Sequence, residues 1–177
     1  MKLKIKDIEK AFGIKIRKGI TSLGLDTATK TGYCIIESNK LDININVGFI
    51  NINVKEIRDK DLRNELRYEE IYRTFKNLIK ANNIVVVENV YYGGNAQTLI
   101  LLSRIGAIAW TIAKEKGCEE IIWKTAIQAR KALGLPCNKK KEIVKDKVNG
   151  LLGLELSNSD EIDAIVLALN GLIKEEQ

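Results

Sequence analysis

From Gly19 the chain reads ITSLGLDTATKTGYCIIESNKLDININVGFININ, with apolar or alternating segments at about 20–26, 32–38 and 43–53. The turn-rich stretches TATKTG and SNKLD separate them, so the pattern predicts a three-stranded antiparallel meander. The period then changes. In DKDLRNELRYEEIYRTFKNLIKANN, the residues Leu62, Leu66, Ile71, Phe75, Leu78 and Ile79 recur at helical spacing, as in an amphipathic helix. IVVVENV predicts a fourth strand, and a turn at Gly93 and Gly94 leads to a long segment from about Ala96 to Lys116. That segment is apolar on nearly every side, so a helix buried on more than one face is expected, with the sheet against one face and a second subunit against another. EEIIW predicts a fifth strand, and helices follow at about 124–133, 139–151 and 159–173, with Pro136 in the turn between the first two. Strands alternating with helices after an antiparallel start imply an α/β fold with a mixed sheet covered on both faces.

A length of 177 residues fits one domain, here 20–177, preceded by a basic extension over 1–19. The extension carries seven Lys or Arg in its first 18 residues against Asp7 and Glu9, and its short amphipathic piece IKDIEKAFGI either docks or stays mobile. Cys34, Cys118 and Cys137 form no CxxC pair, so neither a disulfide framework nor a zinc ribbon is indicated. No secretory signal and no run of membrane-spanning length is expected, which predicts a soluble, cytoplasmic protein. A net charge of +6 and a pI of about 9.1 suit a polyanionic partner. The absence of histidine is more decisive, because it excludes a histidine base, nucleophile or metal ligand. Chemistry must run on carboxylates, lysines, hydroxyls or metal-bound water.

The carboxylates are informative. Asp26 ends a strand and precedes a turn, where aspartate is common. Glu88 directly follows a run that reads as a fully buried strand. An unpaired carboxylate there costs several kcal/mol, so it must be paired, protonated or bound to a cation. In SNSDEIDAIVLALNGL, Asp160 and Glu161 suit a helix N-terminus behind a cap at Ser157 or Ser159. Asp163 precedes AIVLAL, apolar on all sides, so its carboxylate lies where the helix meets the sheet, and Asp160 is nearly on the same face. If the first and fourth strands are parallel neighbours, Asp26, Glu88, Asp160 and Asp163 converge with no basic residue in their own segments. Oxygen-only ligands favour Mg2+ or Mn2+, and a shared aspartate suits a two-metal site for phosphodiester hydrolysis.

The motifs GLDTATKTGYCII, VVVENVYYGGNAQTLILLSRIGAIAW and SDEIDAIVLAL, in that order over about 20–173, resemble the RuvC-type Holliday junction resolvases of the RNase H-like superfamily. The resemblance implies a five-stranded mixed sheet of order 3-2-1-4-5, with the second strand antiparallel and helices on both faces. It implies two metal ions held by Asp26, Glu88, Asp160 and Asp163, with an acid at the last position where some members have histidine. Tyr91 falls where the family places an aromatic that stacks on bases at the junction. Lys124 and Lys141 match basic positions that contact phosphate or assist near the site, and Lys141 adds charge at the transition state. Lys139, Lys140 and Lys141 in NKKKE are candidates for DNA contact, the alternative being a solvated charge run. The basic extension lies outside the family's minimal domain.

The implied activity is a homodimeric, Mg2+-dependent endonuclease that makes paired symmetric nicks in Holliday and other branched DNA junctions, the two-fold supplied by the apolar helix around Leu99 to Trp110. Three other readings compete. GLDTATKTGY also resembles the first phosphate loop of actin-like ATPases, but the chain is too short for their two lobes. A related nuclease acting on RNA or RNA–DNA hybrid shares the same chemistry. A non-catalytic nucleic-acid-binding module is opposed by the carboxylate cluster, which repels phosphate unless cations fill it.

Overall fold

A computed structural model of the chain describes all residues except 29, 51, 53–55, 92–94, 119, 138–140 and 175–177. The six-stranded sheet comprises β1 (Lys2–Lys4), β2 (Thr21–Asp26), β3 (Thr31–Ser38), β4 (Asp42–Ile50), β5 (Asn83–Glu88) and β6 (Ile121–Lys124). Their order is β1-β4-β3-β2-β5-β6. β2, β3 and β4 form the antiparallel meander, while β5 pairs parallel with both β2 and β6. The five expected strands therefore lie in the expected order, and β1 is an additional edge strand from the basic N-terminal segment. The Gly93–Gly94 turn falls outside the described residues.

The helices are α1 (Ile5–Phe12), α2 (Lys60–Leu78), α3 (Ala96–Glu115), α4 (Ala126–Ala132), α5 (Lys141–Leu152) and α6 (Ser159–Leu172). Strand alternation sends successive side chains to opposite faces and so builds two cores. Leu23, Leu25, Val85 and Val87 meet Ile71 and Phe75 of α2 and Ile105, Ala109 and Ile112 of α3 on one face. Cys34, Ile36, Ile84 and Val86 meet α1, α4, α5 and α6 on the other. α6 is the pillar of that second face: every residue from Ile162 to Leu172 is buried. Gly24 of β2 is what allows it so close, since a Cβ there would collide with the Ala164 carbonyl oxygen and the Ala168 amide.

The N-terminal segment docks. β1 pairs antiparallel with β4, and α1 buries Ile5, Ile8 and Phe12, one stripe of an amphipathic helix. Ile16 then bridges to Ile173, and the Arg17 amide donates to the Leu172 carbonyl at 2.7 Å, fixing the segment to the end of α6.

Within the protomer α3 buries the one face expected against the sheet. Ile105, Gly106, Ala109, Ile112 and Ala113 pack on the sheet, while Ile100 and Trp110 are exposed. Contrary to the expectation that no run is long enough, α3 is long and apolar enough to cross a membrane. It serves instead as a packed cover of the sheet.

Candidate active site

The parallel register of β2 and β5 pairs Leu25 with Val87, which places Asp26 beside Glu88 at the ends of adjacent strands. Both side chains fall on the α6 face, in phase with Gly24 and Val86. The Thr27 hydroxyl donates to the Glu88 carbonyl at 3.3 Å and ties the two strand ends together. α6 begins directly above them. Gly32 of β3, opposite Asp26, leaves room for its first turn, because a Cβ at Gly32 would collide with the Asp160 carbonyl. The helix is capped by Asn158, whose side chain accepts from the Asp160 amide at 3.0 Å, so the cap is neither of the expected serines.

All four predicted carboxylates are thus brought to one end of the sheet, from three elements. Asp26 is 3% exposed and Asp163 7%, whereas Asp160 and Glu88 are partly open. Burial drives the Asp26 carboxyl well above the usual aspartate value; a hydrogen bond with Glu88 and the charges of Glu88 and Asp163 push the same way, and Lys141 offsets part of this. Its Oδ2 is buried and has no hydrogen-bond partner.

Cations meet this cluster from two other elements. Lys141, the first residue of α5, places Nζ 3.1 Å from Asp163 Oδ2 and 3.6 Å from Asp160 Oδ1. Half-burial alone would lower the Lys141 pKa, but Asp163, Asp26 and Asp160 outweigh it and raise it. Arg130 of α4, 6% exposed, donates from Nη2 to Asp163 Oδ1 at 2.7 Å. Sequence reasoning identified Lys141 but missed Arg130. The available signal was a charge three residues before the apolar Leu133, on the same face of a short helix, which a solvated arginine would avoid.

The other candidates are more peripheral. Lys124 ends β6 directly opposite Glu88. Tyr91 is 85% exposed just beyond Glu88. Lys139 and Lys140 lie outside the described residues.

The donor set fits a divalent cation in charge and chemistry. Its ligands would be carboxylate oxygens only, the set that suits Mg2+. The buried Asp26 Oδ2 has no hydrogen-bond partner, which leaves it open to a cation. With all four carboxylates ionised, the two cations in contact with them, Arg130 and Lys141, leave a deficit of two charges. Among the described residues no three acids form a ready coordination shell. Both oxygens of Asp163 face Arg130 and Lys141 instead, so an entering cation competes with the Lys141 ammonium.

No curated protein sequence matches the chain. Among solved structures, Thermus thermophilus RuvC superposes with a TM-score of 0.65 at 19% identity, over 85% of this chain and 92% of that one. T. thermophilus RuvC in complex with a Holliday junction substrate gives 0.66 at 18% identity, over 85% and 91%. These likenesses establish the fold. The sequence model for crossover junction endodeoxyribonuclease RuvC matches residues 22–170, from the second residue of β2 almost to the end of α6, and the chain belongs to that family of metal-dependent Holliday junction resolvases.

Proposed function

We propose that the chain is a homodimeric, Mg2+-dependent endonuclease that resolves four-way DNA junctions by paired nicks, with Asp26, Glu88, Asp160 and Asp163 as its metal ligands. The observation that carries the assignment is the meeting of these four acids at the β2–β5 strand ends, where the buried Asp26 Oδ2 has no hydrogen-bond partner. Two Mg2+ ions, with Mn2+ as a substitute, would supply an activated water and charge stabilisation of the departing 3′ oxygen. Asp26 and Glu88, fixed by strand pairing, form the rigid side of the site. Asp160 and Asp163 approach from α6, and Arg130 orients Asp163.

Lys141 has two roles in this reading. It neutralises the acids when metal is absent, and its half-exposed ammonium then turns to the scissile phosphate when metal replaces it. Lys124, with Lys139 and Lys140, contacts phosphate, and Tyr91 offers a stacking surface for an unpaired base. The exposed Ile100 and Trp110 of α3 supply the isologous face that two opposed cuts require.

The test is cleavage in Mg2+ of four-way junction, duplex, fork and RNA–DNA hybrid. Junction should be cut on two opposed strands in preference to the rest. Preferred cutting of hybrid would assign the chain to RNA-directed chemistry instead.

A further inference from the structure

A cleft of about 1580 Å³ lies along the edge strand β6, and Asp26, Asp160 and Asp163 are not among its lining residues. Its lining includes Lys15, Arg17 and Lys18 of the N-terminal segment, Lys124 of β6 and Lys174 beyond α6. Against these five cations stand Glu9 and Glu120, leaving three net positive charges. Both acids are already committed: Glu9 Oε1 accepts from the Ile16 amide at 3.0 Å, and Glu120 Oε2 pairs with Arg17 at 2.7 Å. Among the described residues the Lys15, Lys18, Lys124 and Lys174 ammonium groups have no ion-pair partner.

Three of the cations, Lys15, Arg17 and Lys18, precede the family match, which starts at residue 22. The segment carrying them is held in register by the Ile16–Ile173 bridge and by the Lys174 amide, which donates to the Lys15 carbonyl at 2.8 Å. The charges are therefore positioned rather than trailing. Basic groups near the end of α6 also complement its dipole, but that is satisfied within one turn. It does not account for Lys124, at the opposite end of the cleft.

We propose that this cleft is a second DNA-binding surface, built by the N-terminal segment, which takes the phosphodiester backbone of a junction arm leaving the active site. Several features point to a polymer. The volume exceeds the roughly 300–1,000 Å³ of a small-ligand pocket. Four of the cations gather where the N-terminal segment meets the end of α6, and Lys124 stands apart from them at the end of β6, so the charges are not focused on one point. Lys124 also makes the cleft continuous with the active site, since it sits opposite Glu88 in the β5–β6 register. The inference rests on the reading that the chain acts on branched DNA.

The experiment compares full-length wild type with Lys15→Gln/Lys18→Gln/Lys174→Gln, three exposed positions whose replacement leaves the Ile16 and Phe12 packing intact. Lys76→Gln/Lys80→Gln/Lys114→Gln, on the opposite face, controls for net charge. Affinity for a labelled four-way junction is measured against salt, with Ca2+ replacing Mg2+ so that the DNA stays uncut. The cleft triple should reduce the slope of log K against log salt by about 3 and weaken binding roughly 100-fold at 0.1 M salt. The control triple should change the slope by less than about 1. Glu120→Gln, which releases Arg17, should steepen it by about 1. Equal changes in the two triples, or an unchanged slope in the cleft triple, overturn the proposal while leaving junction cleavage untouched. Failure of the wild type to prefer junctions instead sinks the functional reading, and the same slopes measured on duplex still decide whether the cleft binds backbone.

Discussion

Asp163 and Arg130, 33 residues apart in sequence, form an ion pair at 2.7 Å with side chains only 10% and 8% exposed. Such a pair contributes little to stability as a whole, because desolvation cancels most of the attraction, but losing one partner strands the other. Arg130→Ala should therefore destabilise the metal-free protein by about 3 kcal/mol, the lower end of the range because Lys141 still faces Asp163. For a chain of this size that is a drop of roughly 6–12 °C in Tm. Added Mg2+ should recover part of it by returning positive charge to Asp163. A loss below about 1 kcal/mol would mean that Lys141 alone suffices.

Asp26→Asn tests the site from the opposite direction. The raised pKa means that ionising Asp26 costs more in the folded than in the unfolded chain, so metal-free stability falls as pH climbs from the ordinary value of about 4 up through the raised one. The variant carries no such charge. Its urea midpoint in chelator should exceed that of wild type, by a margin that widens as pH rises above the ordinary aspartate value of about 4 and levels off once the raised pKa is passed. Lys141, raised from an already high value, does not titrate there, and the Asp42 contribution is lost only below the ordinary aspartate range. Cleavage should vanish while junction binding persists; surviving cleavage would remove Asp26 from the metal site.

The parts of this site that lie along the chain were legible in sequence. The strand ITSLGLD and the continuous apolar run IVVV placed Asp26 and Glu88 at strand ends, and helical spacing placed Asp160 and Asp163 on one face. Arg130 was not legible, because its role depends on how α4 packs against α6, and no local period encodes a contact 33 residues away. The docking of Lys2–Lys4 was equally hidden, since three residues of alternating Lys and Leu look the same in an edge strand and in a solvated tail. For the helix cap, Ser157, Asn158 and Ser159 are equivalent by propensity, and geometry chose Asn158.

The charge balance of the site makes a prediction about metal stoichiometry. With Arg130 and Lys141 in contact and all four carboxylates ionised, the site lacks two positive charges, which one divalent ion supplies as Asp26 gives up its proton. A second ion would leave the site net positive until a phosphodiester arrives. Calorimetric titration of the DNA-free protein with Mg2+ should show one site per protomer, and Ca2+ with uncleaved junction should show two. Lys141→Gln should tighten the first site by removing the competing ammonium, while slowing cleavage. Weaker Mg2+ binding in that variant would show that Lys141 supports the ligands rather than competing with metal.

Tyr91 offers the cleanest separation of binding from chemistry. Its ring is 85% exposed, so Tyr91→Ala removes almost no packing and stability should stay within about 0.5 kcal/mol of wild type. An aromatic left in water three residues beyond Glu88 gains its full contact only when a base is unstacked beside it, and base stacking is worth about 1–3 kcal/mol. If that contact forms mainly as the junction opens toward the cutting geometry, Tyr91→Ala should lower the single-turnover cleavage rate by roughly 10-fold or more while changing junction affinity less than about 3-fold. Tyr91→Phe should retain most of the rate, because the ring does the stacking and its hydroxyl does not. Equal losses in rate and affinity would assign Tyr91 to binding alone, and no loss in either would leave it a solvated strand-end residue.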